Sequence, residues 1–232
     1  SGPCTLVAST LTAGAAAGTC VLTFTTAGNG QYKAASETRQ VTLKNKVDSL
    51  TVTVAVGAPP AAQGIAGGVV ANGQSTSLKF DQVAIISTDT TSKLPVQVSS
   101  SAGCSLINGV LTPLSGTGSC VVTFKTSAAN GWDAINESRT FALGLAADSL
   151  TLSVTIGGKS QSWDAGLRPV VTYGQSISTS ASSGSGATVS IVASGACTIT
   201  NGVLAPTAGT GSCTVSFTTK ATANYSAVSA CL

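Results

Sequence analysis

Apolar and polar residues alternate with a period of two along most of this chain. Leu50, Val52, Val54 and Val56 form one face of a run whose other face carries Thr51, Thr53 and Ala55. Cys120, Val122 and Phe124 alternate with Val121, Thr123 and Lys125, and the same face returns as Cys20, Leu22, Phe24 and as Cys213, Val215, Phe217. Successive side chains of a strand point to opposite faces, so each run predicts a half-buried strand with cysteine and phenylalanine turned inward. Cys4 with Leu6, Cys104 with Leu106, and Cys197 with Ile199 head similar strands. Asn108-Gly109 and Asn201-Gly202 then mark turns. No segment shows a convincing helical period. Many short strands separated by turns indicate an antiparallel β-sandwich.

The alternation is itself repeated. Cys4 and Cys20, Cys104 and Cys120, and Cys197 and Cys213 form three pairs, each 16 positions apart, and the second members read GTCVLTF, GSCVVTF and GSCTVSF. Two further marks recur. Asp48-Ser49-Leu50-Thr51 returns as Asp148-Ser149-Leu150-Thr151, and Val69-Val70-Ala71-Asn72-Gly73-Gln74-Ser75 returns as Val170-Val171-Thr172-Tyr173-Gly174-Gln175-Ser176. A fixed internal period decides architecture before any single residue does. It predicts the second half of a module over 1–47, a complete module over 48–147, and a module lacking its last strand over 148–232. Each paired frame should be a disulfide, Cys4–Cys20, Cys104–Cys120 and Cys197–Cys213. Closing such a loop is worth roughly 3 kcal/mol on the loop-entropy argument.

Composition narrows the function classes. Of the 232 residues 8% are charged and 4% aromatic, with no His and no Met; ordinary soluble domains carry roughly a quarter charged residues. The net charge of +3 comes without a basic cluster, so a nucleic-acid footprint is not expected. Zinc would need CxxC or His spacing, which is lacking, so cysteines in regular pairs point to disulfides and an oxidising compartment. No apolar run approaches the ~20 residues of a membrane-spanning helix.

The residues then carry a resemblance. Cys104-Ser105-Leu106, Asn108-Gly109-Val110-Leu111-Thr112-Pro113 and Gly116-Thr117-Gly118-Ser119-Cys120 are closed by Trp132-Asp133-Ala134, matched by Tyr32-Lys33-Ala34 and Tyr225-Ser226-Ala227. This pattern resembles the immunoglobulin-like tandem repeats of bacterial extracellular proteins that build adhesin stalks. The resemblance covers essentially the whole chain. It implies tandem immunoglobulin-like β-sandwich modules, one disulfide each, acting as spacers. The first copy departs from it, with Ala8-Ser9 where the others have Asn-Gly.

Candidate chemistry is sparse. Without His, Ser–His and Cys–His catalysis are excluded. Glu37 and Arg39, and Glu137 and Arg139, stand two apart and read as surface ion pairs rather than acid–base machinery. Asp48 and Asp148 begin the modules and read as junction residues; calcium there would want six to eight oxygens, usually with several carboxylates. The glycines from Gly64 to Gly68 lack the context of a phosphate loop and read as loop. Trp132 aligns with Tyr32 and Tyr225 and reads as packing. Trp163 has no counterpart in the 48–147 copy and lies in a Gly/Ser-rich stretch, which makes it the candidate surface contact. Lys79 is the strand lysine that a Lys–Asn crosslink would use, but no repeated Lys/Asn/acid set accompanies it. Asn136-Glu137-Ser138 and Asn224-Tyr225-Ser226 are sequons.

The expectation is therefore a non-enzymatic structural array of a bacterial secreted or cell-surface protein, forming a stalk or extracellular fibre without cofactors. The alternative is an adhesin module gripping glycan or a host protein through loops near Trp163. Expected partners are further copies of the repeat, in cis or in a fibre. Cys231, the odd cysteine, should be a free thiol or pair with a neighbour. The chain reads as a window on a longer array, with more of the repeat expected past both ends.

Overall fold

The structure, a computed structural model, describes residues 1–59, 66–164 and 166–232. Of the 64–68 glycine-rich stretch, Gly64 and Ile65 therefore lie outside the described residues. The described residues form strands and no helix, so the chain is all-β with several sheets and three disulfides.

Residues 1–47 form β1 (Cys4–Val7), β2 (Thr10–Ala13), β3 (Gly18–Thr26) and β4 (Ala35–Leu43). β1 pairs with β2 and β3 with β4, both antiparallel. The β1–β2 hairpin closes through Ala8-Ser9 although the Asn-Gly signal is missing there. Ala8 takes the left-handed conformation, φ 54°, that Asn108 and Asn201 take at φ 50° in the other copies. The strand pairing on either side holds an alanine where asparagine or glycine is the easier occupant.

Residues 48–147 form β5 (Leu50–Gly57), β6 (Gly68–Val69), β7 (Ser75–Lys79), β8 (Val83–Thr90), β9 (Gln97–Ser100), β10 (Cys104–Ile107), β11 (Val110–Pro113), β12 (Ser119–Lys125) and β13 (Asn136–Gly144). They make one sheet ordered β10-β11-β8-β5-β6 and another ordered β7-β13-β12-β9. The Cys104–Cys120 disulfide joins β10 of the first sheet to β12 of the second. Val52, Leu111, Cys120, Val122, Phe124 and Phe141 are buried, which are the inward positions of the alternating runs. Each fully buried phenylalanine contributes about 1.5–3 kcal/mol by area.

Residues 148–232 form β14 (Leu150–Ile156), β15 (Lys159–Ser162), β16 (Ile177–Ser183), β17 (Ser190–Gly195), β18 (Cys197–Thr200), β19 (Val203–Pro206), β20 (Cys213–Thr218) and β21 (Ser229–Cys231). The sheets are β15-β14-β16-β19-β18 and β17-β20-β21, joined by Cys197–Cys213 from β18 to β20.

Trp163 corrects the sequence expectation. It is not a surface contact: it is 6% exposed and packs edge-to-face on Phe217, ring centroids 5.7 Å apart. The reason is a hairpin hidden in the glycines. Gly157 and Gly158, both at positive φ, turn β14 back into β15, so that Ile156 pairs with Lys159 and Ser153 with Ser162. That register sets Trp163 opposite Leu152, whose carbonyl accepts its N–H at 2.9 Å. Residues directly opposite share a face of the sheet, and the face of Leu152 is the core.

The chain divides into two compact units. One comprises Ser1–Thr76, Ala84–Leu111 and Cys120–Phe141, the other Ser77–Val83, Thr112–Ser119 and Ala142–Leu232. The boundary between the units runs through 48–147, and the 47/48 and 147/148 steps each lie inside one unit.

Candidate functional site

The same backbone arrangement, a joint between consecutive sequence repeats, is built twice. Lys46 lies two residues before Asp48, in extended backbone. Its N–H donates to Gly131 O at 2.7 Å, and its carbonyl accepts from Asp133 N at 2.9 Å. The two partners flank Trp132, over whose ring the Lys46 ammonium sits at 5.2 Å from the centroid. Ala146 lies two residues before Asp148. Its N–H donates to Asn224 O and its carbonyl accepts from Ser226 N, both at 2.9 Å. Those partners flank Tyr225, whose ring packs edge-to-face on Phe80 at 5.7 Å. One linker residue thus forms a parallel β-bridge to the aromatic of the following stretch in both places. A bridge of two backbone bonds fixes direction as well as distance, which a side-chain contact alone does not.

Loops from the preceding stretch complete each joint. Gly116 N donates to Asn224 Oδ1 at 3.0 Å, and a Cβ at Gly116 would meet the Asn224 backbone at 2.9 Å. The approach needs glycine for that reason. At the other joint a Cβ at Gly131 would meet Ala15 O at 3.4 Å. The sequon asparagine Asn224 is thus committed to packing, whereas Asn136 is exposed.

The aspartates after each linker anchor the next loop. Asp148 Oδ1 accepts from Ser149 N at 2.8 Å and Ser185 N at 2.9 Å; Oδ2 accepts from the Ser183 and Ser185 hydroxyls at 2.7 and 2.8 Å. Partial burial opposes its ionisation, but these four donors outweigh it and hold the carboxyl at about 2. Asp48 accepts from Ser49 N and Ser92 N at 2.9 and 3.0 Å and from the Ser92 hydroxyl, and is likewise lowered against the pull of burial. Carboxylate lone pairs that face N–H and O–H donors serve loop anchoring. Among the described residues no group of three or more acidic, His or Cys side chains is placed to hold a metal ion.

The two Glu–Arg pairs, alike in sequence, part company in the structure. Glu37 and Arg39 form an exposed ion pair. Arg139 instead is 2% exposed, which corrects the surface reading of that pair. Its Nε donates to Val70 O at 2.7 Å, Nη1 to Asn72 Oδ1 at 3.1 Å and to Ser138 O at 3.0 Å, and Nη2 to Glu137 Oε2 at 2.9 Å. The guanidinium carbon sits 5.7 Å from the Phe124 ring centroid. Each of its three nitrogens has an acceptor, which makes a buried charge tenable.

The structure bonds Cys4 to Cys20, Cys104 to Cys120 and Cys197 to Cys213, with Cα atoms 5.8, 5.8 and 5.6 Å apart. Cys231 is exposed and carries no disulfide. Lys79 is exposed. Trp163 forms part of the wall of a cleft of about 390 Å³ together with Leu167, Val171, Leu204, Val215 and Leu232, while Arg168 stands among its polar groups. The linker residues Lys46 and Ala146 escaped sequence reading. Their signal was positional, two before each repeated aspartate, with no shared side-chain chemistry to draw attention.

No protein-family model matches the chain, and no curated protein matches it.

Proposed function

We propose that this chain is a non-enzymatic structural array of tandem immunoglobulin-like β-sandwich modules, working as a stalk or fibre element of a secreted or cell-surface protein. The observation that carries the reading is the repeated joint. Two unlike residues, Lys46 and Ala146, make the same two backbone bonds around Trp132 and Tyr225. A joint held by backbone geometry gives each module a defined direction from the last, which is what a load-bearing spacer requires. A third receiving loop, at Gln31–Lys33, presents Tyr32 73% exposed, with Asn29 Oδ1 accepting from Gln31 N and Tyr32 N to hold its shape. Three disulfides fit an oxidising, extracellular environment and would keep each sandwich closed under tension. Negative-stain images of the native material test the reading. Extended rods or filaments with a repeating bead are expected; a compact, monodisperse particle of 22.6 kDa would refute it.

A second reading rests on the cleft beside Trp163. The indole is buried, so sugar stacking on it is not available; binding would fall to the rim around Leu167, Arg168 and the exposed Val170. Glycan-array binding that disappears with Arg168→Ala would favour an adhesin module over a spacer. Silence on such arrays leaves the spacer reading in place.

A further inference from the structure

Residues 1–47 repeat 101–147 without a gap. Cys4, Cys20, Phe24, Glu37 and Arg39 stand where Cys104, Cys120, Phe124, Glu137 and Arg139 stand in the later copy. Their surroundings are opposite. Phe124 and Phe141 are fully buried, while Phe24 is 55% and Val41 38% exposed. Arg139 is buried against Val70 and Asn72, while the Arg39 side chain is 64% exposed. Both edges differ as well. β12 is flanked by β9 and β13 by β7, whereas among the described residues no further strand pairs with β3 or β4. The first copy therefore has an apolar face, two strand edges without a partner strand, and an arginine that reaches its own neighbours Glu37 and the Thr38 carbonyl in place of a facing half-module; 48–100 covers the face and both edges in the later copy and supplies the arginine's acceptors there.

We propose that this face is a docking surface for one occupant, a β half-module of the 48–100 type from a further repeat. The proposal rests on the array reading and adds to it the polar key of recognition. A Val70-type carbonyl would accept from Arg39 Nε, and an Asn72-type amide oxygen from its Nη1. A β9-like strand would pair along β3 and a β7-like strand along β4. A second copy of this same chain is not the donor, since lending its own 48–100 would uncover an equal face on its own 101–147. The β3 edge already carries one strand-like contact. Ser1 exchanges backbone hydrogen bonds with Val21, its amino group donating to Val21 O at 2.7 Å and its carbonyl accepting from Val21 N at 2.8 Å. Ser101 N likewise donates to Val121 O at 2.9 Å, and Ser100 continues from there in register with Val122. An occupant joined at Ser1 would run straight on along the β3 edge.

The test appends residues 48–100 directly before Ser1 of the full 232-residue chain and follows amide exchange by mass spectrometry. Peptides covering 18–26 and 35–43 should slow by about tenfold or more relative to the unextended chain. Arg39→Met should reverse part of that slowing in the extended chain and change nothing in the unextended one. Asn72→Ala made only in the appended copy should have the same effect, and the two should not add. Equal exchange with and without the extension overturns the proposal. So does an Arg39→Met effect of the same size in both chains. Should the extended chain aggregate, Arg139→Met in the unextended chain probes the same key in place. Faster exchange over 136–141 supports it and unchanged exchange overturns it. If native material is a rod and the extension fails to protect β3 and β4, the docking inference falls and the array reading stands. Protection of β3 and β4 in a protein whose native form is a compact monomer would reverse that outcome.

Discussion

A single tryptophan shows how much a residue's role depends on register. Trp163 looks like a surface aromatic in a polar stretch, yet a two-residue turn places it opposite Leu152 and against Phe217. Trp163→Ala is expected to destabilise the 148–232 stretch by about 3–5 kcal/mol, measured by urea unfolding, with Trp163→Phe costing much less. Asp148 is the other residue whose chemistry can be read out. Its folded carboxyl titrates at about 2, below the ordinary 3.8, so it stabilises the fold at neutral pH and down through weak acid. That contribution is lost as pH falls from about 4 through 2, because below its folded value both states carry the proton. Thermal melts from pH 5 to 2 should therefore show a smaller acid decline in Asp148→Asn than in the parent. An unchanged decline would mean that the loop anchor is not electrostatic.

Among the elements, hairpins and staples carry the argument. The β1–β2 turn holds Ala8 at positive φ, where alanine is strained and glycine is not. Ala8→Gly is expected to raise the stability of 1–47 by roughly 0.5 kcal/mol, seen as slower amide exchange over β1 and β2. The disulfide from β10 to β12 ties two sheets across a short loop. Removing it by Cys104→Ala with Cys120→Ala should lower unfolding free energy by roughly 3 kcal/mol. A loss far below this would show that sheet packing alone holds 48–147 together.

Across the whole molecule, the joints are the property to test. Ala146→Pro deletes the N–H that donates to Asn224 O, and its effect should be local. The Ser226 amide, which donates to Ala146 O, should exchange about tenfold faster, while Phe217 in the core keeps its protection. Protection lost equally at both sites would mean that the linker residue supports the fold of 148–232 rather than its attachment. The two compact units are consistent with attachment, since each contains one complete joint.

Much of this was present in the order of the residues. The alternation of Cys120, Val122 and Phe124 with Val121, Thr123 and Lys125 determined strands and their inward faces, since side chains on a pleated strand have no other choice. The cysteine frame, returning three times, determined which thiols lie near each other once those strands pair. Legible too were the Asn-Gly turns, because few residues tolerate positive φ. Tertiary structure decided the rest. Arg39 and Arg139 sit in the same local sequence, and only the presence of Val70 and Asn72 above one of them makes it a buried key. Trp163 was turned inward by a register that no composition reveals. Lys46 and Ala146 became joints through backbone atoms, which every residue carries and which therefore leave no mark in a sequence until a fold brings their partners within reach.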